Sequence, residues 1–254
     1  MKKQFIALVF LITLTLNACA TSPAQAVNEN PLVLEKVTET EDGYVLIGKF
    51  RSIGLPEGAQ AVSFSNLPKI TDAGGKEIQF TPVDPSSENT EQGTFPWAFE
   101  IKGKQFKLPL TIKPDLVAVK YENAQTKFEF NTEANPPDDQ VQELDALGNT
   151  INSPIWNLDI DLGSLAGYPV RVVKAIRRAN GYEFYFKSTA IFHGVDVQLE
   201  DSTQGLTGMN APDEFSSAVT FAGKVPSGKL TVLVSHPVIA TPGSWELQWQ
   251  PEKQ

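Results

Sequence analysis

One turn signal appears twice in this chain, 138 positions apart, each time inside the same pattern. Residues 34–50 read LEKVTETEDGYVLIGKF and residues 172–188 read VVKAIRRANGYEFYFKS. Each stretch is an alternating run, a turn dipeptide (Asp42-Gly43, Asn180-Gly181), a tyrosine, and a second alternating run. Asp-Gly and Asn-Gly between alternating apolar residues predict hairpins with type I′ turns, whose two central residues take positive φ. Lys36 and Lys174 stand at the same distance from their glycines, so the two stretches read as equivalent opening hairpins of a duplicated β domain.

A second match supports the duplication. Residues 98–112 (AFEIKGKQFKLPLTI) align without a gap on residues 218–232 (AVTFAGKVPSGKLTV), now 120 positions apart. The second copy is therefore 18 residues shorter between the two matches, and the loops at 52–60 and 81–93 are where the first copy holds the extra length. The final strands also correspond, with 127–130 (KFEF) set against 244–247 (SWEL).

The 254 residues accommodate two small domains, and 18 Gly with 18 Pro is a turn-rich composition typical of all-β chains. Alternation predicts strands at 61–67, 97–101, 106–112, 116–121 and 127–130, with a second hairpin at 70–80 around Gly74-Gly75. The pattern predicts a β-sandwich over 32–134 and another over 154–254. Between them, residues 135–153 read as a linker. Its Pro136-Pro137 breaks the strand pattern, and 140–147 could form two helical turns ending at Gly148. Beyond it, 155–162 place Trp156, Leu158, Ile160 and Leu162 on one face and Asn157, Asp159 and Asp161 on the other.

The N-terminus reads as an address. Lys2 and Lys3 precede an apolar run, 5–16, too short to span a bilayer. Leu16-Asn17-Ala18-Cys19 follows and resembles the bacterial lipobox, with a leucine three residues before the cysteine and a small residue just before it. Asn17 departs from the usual small residue there. The resemblance implies a signal peptide over 1–18, lipid on Cys19, and a polar tether over 19–31. Ordinary signal-peptidase cleavage after Ala26 or Ala20 is the competing reading. Ala26 lies far beyond the apolar run, and Cys19 is the only cysteine, an unpaired thiol unless it is lipidated. The mature domains then hold no disulfide. Removing 1–18 takes away Lys2 and Lys3 and no acid, which moves the formal net charge from −9 to −11. That balance argues against a nucleic-acid partner, which needs a basic surface.

Residues 166–170 (AGYPV), Ile176, 181–184 (GYEF) and the closing 242–247 (PGSWEL) resemble the tandem immunoglobulin-like domains of bacterial surface lipoproteins. Similar domains form extracytoplasmic parts of some membrane-anchored anti-sigma factors. The likeness implies a scaffold and an extracytoplasmic location, and carries no chemistry of its own.

The candidates for chemistry are few. His193 and His236 are the only histidines, and no Gly-x-Ser-x-Gly nucleophile elbow accompanies them. With one terminal cysteine they make no zinc pattern, and no cofactor is expected. Asp159 and Asp161 lie about 6–7 Å apart along one strand face, a spacing open to a calcium site or a glycosidase pair as well as to a solvated face. Asp201 with Asp213 and Glu214 flanks the expected loop 202–212, and Asp72 reads as turn chemistry. Tryptophans 156, 245 and 249 fall on regular strands and read as core. Trp97, after the polar loop 81–93, is the candidate ligand-binding residue, offering a ring on which a sugar could stack.

These features lead to a non-enzymatic, lipid-anchored extracytoplasmic binding or structural module of the cell envelope. Its expected partners are the membrane, through the lipid, and an envelope protein or polysaccharide. A sensory protein acting on a membrane partner, a carbohydrate-binding module and a carboxylate hydrolase are the alternatives.

Overall fold

The computed structural model describes residues 30–85, 91–134, 136–145, 147–211 and 213–251; the expected signal peptide, Cys19 and most of the expected tether lie outside them. Among the described residues the chain is all-β and antiparallel, with no helix. The first half holds β1 (Leu32–Glu39), β2 (Gly43–Arg51), β3 (Ala59–Phe64), β4 (Lys69–Thr71), β5 (Phe80–Pro82), β6 (Thr94–Lys102), β7 (Leu110–Lys113), β8 (Leu116–Tyr121) and β9 (Gln125–Asn131). The second holds β10 (Asp139–Leu144), β11 (Thr150–Leu165), β12 (Tyr168–Arg178), β13 (Gly181–Ser188), β14 (Phe192–Gln198), β15 (Thr203–Ala211), β16 (Glu214–Thr220), β17 (Lys229–Pro242) and β18 (Leu247–Trp249).

The two hairpins correspond residue by residue. β1 pairs with β2 and β12 with β13, and each ladder slips at the same place, before Lys36 and before Lys174. A bulge is specified by its surroundings, so its recurrence at one position is strong evidence of duplication. The turns differ from expectation. The loop residues are Glu41-Asp42 and Ala179-Asn180, and none of them takes positive φ; nor do Gly43 and Gly181, which open β2 and β13. The glycines are required for a different reason. A Cβ at Gly43 would lie 1.9 Å from the Ile101 carbonyl oxygen, and one at Gly181 would lie 1.8 Å from that of Val219.

Sheet order extends the equivalence. β1-β2-β6-β5 forms one sheet, and β10-β11-β12-β13-β16-β15 contains the same four-strand order with two strands added at the β12 edge. Tyr44 pairs with Ile101 and Tyr182 with Val219, so β6 and β16 match at 118 positions rather than at the 120 of the gapless alignment. Two residues enter the second copy between β16 and β17, which a gapless comparison could not place.

The copies are interlocked through their last strands. β9 pairs with the first half of β17 and places Phe128 and Phe130 in the second core, with Trp156, Tyr182 and Phe184. β18 pairs with β7 and places Trp249 in the first core, with Leu46, Phe50 and Ile101. The exchange is reciprocal. Leu110 faces Trp249 as Leu230 faces Phe130, and Ile112 faces Leu247 as Val232 faces Phe128. Phe130 therefore corresponds to Trp249, two residues beyond the partner expected from sequence. The divisions 32–134 and 154–254 are crossed by one strand in each direction.

β8 and β9 lie end to end along β17. Val238–Pro242 pairs with β8, Lys229–Ser235 pairs with β9, and the His236 N–H donates to the Ala124 carbonyl across the break. β17 runs on through Pro237 to Pro242, with His236 at φ 48° absorbing the kink. β14 and β3 flank this ribbon on its two sides.

The linker is also different from its reading. The expected helix over 140–147 is absent, and Asp139–Leu144 is β10, paired antiparallel with Thr150–Ile155. Asp145 makes the turn, accepting from the backbone N–H groups of Leu147 and Asn149. Its carboxyl sits below the usual range, chiefly through hydrogen bonding by the Asn149 side chain and then its backbone. Arg178 on β12 holds the hairpin to the sheet, reaching Glu143 and Glu183 together. Burial acts to lower the Arg178 pKa, but the hydrogen bonds and charges of Glu183 and Glu143 outweigh it and raise it.

Candidate functional site

The residues singled out in the sequence do not converge. Cys19 lies outside the described residues. Asp159 and Asp161 sit on the solvent face of β11, where Asp159, 82% exposed, pairs with Arg171 at 2.7 Å. Asp161 accepts from the Gly163 N–H. The segment 202–212, read as a loop, is mostly β15, so Asp201 and Asp213 stand at opposite ends of the β15–β16 hairpin. A nine-residue strand separates them by roughly 30 Å. Asp72 is turn chemistry, as expected. Its carboxylate accepts the backbone N–H groups of Gly74, Lys76 and Lys107, with Lys107 the largest cause of its lowered pKa.

The histidines carry only parts of a triad. His193 Nε2 lies 2.6 Å from Ser65 Oγ, a bond between β14 and the end of β3, with no carboxylate recorded on the ring. His236 Nδ1 lies 2.9 Å from Asp196 Oδ2 and 3.3 Å from Ser235 Oγ, so both contacts fall on one nitrogen. A triad needs the nucleophile and the acid on opposite nitrogens of one imidazole, and neither ring is arranged so. Among the described residues, no three His, Cys, Asp or Glu side chains gather as a metal site.

Trp97 is 3% exposed, so it is no platform for a sugar ring. It lies across Gly48 and stacks on Phe99 at 5.1 Å, and its indole N–H has no hydrogen-bond partner. Its position nevertheless leads to the one place where the two copies differ in kind.

Each copy has a seam between the outer strand of the shared ribbon and the far edge of its own sheet: β14 against β15–β16, and β3 against β5–β6. In the second copy the seam is closed by polar side chains. The Val197 N–H donates to Gln204 Oε1 at 2.8 Å, Gln204 Nε2 donates to the Val195 carbonyl at 3.2 Å, and Ser217 and Thr207 hydroxyls reach the same carbonyl. Gly194 permits the approach, since a Cβ there would lie 2.9 Å from Thr207 Cγ2.

In the first copy these residues have no counterparts. The β6 position equivalent to Ser217 is Phe99, two residues before Ile101 as Ser217 is two before Val219. β5 covers only Phe99–Ile101, whereas β15 runs along β16 from Glu214 to Thr220. A ring cannot supply the hydroxyl, and a three-residue strand cannot bring a second amide. The seam is left as an open groove of about 330 Å³, walled by Phe64, Phe95, Trp97 and Phe99 and rimmed by Val62, Leu67, Pro82 and Val83. Among the described residues its lining carries no charged side chain. Val62 and Leu67 are 41% and 59% exposed, and Phe64 meets Phe95 edge-on at 4.9 Å. The edge beside it is blocked against strand addition. Pro96 has no N–H to donate, and the Ala61 N–H is already taken by Ser52 Oγ. The groove therefore receives apolar groups rather than a β-strand.

Sequence reasoning reached Trp97 but not the groove. The signal was Phe99 against Ser217, which the gapless alignment hid by setting Phe99 opposite Val219. No protein family, curated protein or solved structure matches this chain.

Proposed function

We propose that this chain is a membrane-tethered extracytoplasmic protein of two immunoglobulin-like sandwiches that binds, without catalysis, through the groove of its first copy. The observation that carries the reading is the asymmetry of the seams. One ancestral position is sealed by Gln204, Thr207 and Ser217 in the second copy and left open and apolar in the first. Contiguous apolar surface on a chain of net charge −9 is the kind of feature that marks binding. The lipobox-like Leu16-Asn17-Ala18-Cys19 supports the tether, and the interlocked all-β scaffold supplies rigid walls for the groove. The duplicated hairpins and the tandem arrangement support the immunoglobulin-like reading. Fractionation with an apolar probe tests both parts. Wild type sediments with membranes and Cys19→Ala does not, while Leu67→Asp still sediments but loses the fluorescence enhancement of N-phenyl-1-naphthylamine, an uncharged probe. Soluble wild type, or Cys19→Ala that stays in the membrane fraction, removes the tether. Undiminished probe binding by Leu67→Asp removes the groove.

A further inference from the structure

The groove opens at the end of the first copy where the N-terminal segment arrives. Arg51 pairs with Thr94, its N–H donates to the Pro31 carbonyl, and its guanidinium reaches the Asn30 carbonyl. Leu32 pairs with Phe50, and Phe50 with Phe95, a wall of the groove. Two strand spacings, roughly 10 Å, therefore separate the incoming chain from that wall. Ten residues lie between Cys19 and Asn30, and the eleven steps span at most about 40 Å of extended chain. A lipid on Cys19 therefore keeps the groove within about 50 Å of the bilayer.

We propose that the groove takes an acyl chain of the bilayer to which the protein is tethered, giving the first copy a second hold on the membrane. This rests on the tether reading above. Among the described residues the lining has no charged side chain to recognise a headgroup or an ionic polymer, and its Pro96 and Ala61 positions offer no N–H to a peptide backbone; its aromatic walls and the exposed Val62 and Leu67 suit a hydrocarbon chain. The lipidated chain's formal net charge, −11 once residues 1–18 are removed, opposes anionic lipid, so the interaction favours zwitterionic lipid and changes little with salt. Membrane attachment that persists for long generally needs more than one apolar element.

The test reads tether and groove separately. The acylated full chain carrying Leu67→Trp is reconstituted into phosphatidylcholine vesicles with dibrominated acyl chains, and Leu206→Trp is the exposed control on the second copy. Co-flotation with the vesicles reports the tether. Bromine quenching of the added tryptophan reports the groove, with at least twofold quenching at position 67 and none at 206. Val62→Asp on the Leu67→Trp background reduces the quenching at least threefold. Flotation without quenching at 67 overturns the inference and leaves the tether standing, as does equal quenching at both positions. If the chain fails to float, short-chain brominated phosphatidylcholine in solution decides: saturable quenching at 67 sustains the groove assignment, and its absence overturns it. Quenching relieved by a co-purified envelope protein instead assigns the groove to that protein and overturns the lipid reading.

Discussion

Replacing Trp249 by alanine tests the interlocking of the copies, because the same residue would lie in the other core if the sandwiches closed in sequence order. Trp249 is 8% exposed on a three-residue strand. Its ring meets Tyr44 edge-on at 5.1 Å, and the equivalent pair in the second copy is Phe130 with Tyr182, at 6.0 Å. Loss of a buried tryptophan costs about 3–5 kcal/mol, with partial exposure placing Trp249 toward the lower figure. That number alone does not say which core was damaged, so the informative quantity is a coupling energy. In a double-mutant cycle, Trp249→Ala with Tyr44→Ala should show about 0.5–1.5 kcal/mol of interaction. Trp249→Ala with Tyr182→Ala should add to within about 0.5 kcal/mol, as separated sites do. Urea unfolding followed by far-UV circular dichroism supplies all the required values. Coupling of Trp249 to Tyr182 and not to Tyr44 would refute strand exchange.

Other expectations follow from the same contacts. Since each core contains a strand from the other half, Phe130→Ala should move a single unfolding transition to lower urea without splitting it; two separate steps would contradict the interlock. Asp72, whose carboxyl is held below its ordinary pKa by backbone N–H donors, stabilises the first copy above about pH 4, and this contribution is lost as pH falls through the depressed value. Asp72→Asn should therefore be destabilised relative to wild type at neutral pH, with the difference shrinking in acid; urea midpoints across pH check the sign. Arg178→Ala should release the β10 hairpin at a cost of about 1–3 kcal/mol, raising amide exchange over 139–144 while β13 stays protected. Tyr182→Phe removes the bond from its hydroxyl to the Pro226 carbonyl, 2.6 Å long, and should cost about 1 kcal/mol in thermal or urea unfolding.

Local pattern carried most of the strand content. Alternation placed Trp156, Leu158, Ile160 and Leu162 toward the core and Asp159 and Asp161 toward solvent, because side-chain direction in a strand repeats every two residues whatever its partner is. Pattern could not say which strand each would pair with. The run KFEF reads identically whether Phe128 and Phe130 enter the first core or the second, so exchange was invisible. The glycines of the repeated hairpins carry a turn preference in sequence, yet they are fixed by carbonyl oxygens on β6 and β16, a long-range approach. The segment 140–147 shows the same limit. Its short mixed run suits a helical turn locally, but the ladder to β11 and the Arg178 contacts, 35 residues from Glu143, decide for strand. Trp97 was singled out for following a polar loop, and the loop does mark the copy that differs. The groove itself depends on the register of β6 against β16, which only the pairing reveals.

The open seam of the first copy, and not its closed equivalent, is the proposed binding surface. Photo-crosslinking in intact cells tests it most directly, with benzoylphenylalanine placed at position 62 in the groove or at position 206 on the second copy. Leu206 is the more exposed of the two, at 87% against 41%, so accessibility alone favours the control. The account predicts an adduct from position 62 and none from position 206. Adducts of equal yield at both positions, or an adduct from 206 alone, would contradict it.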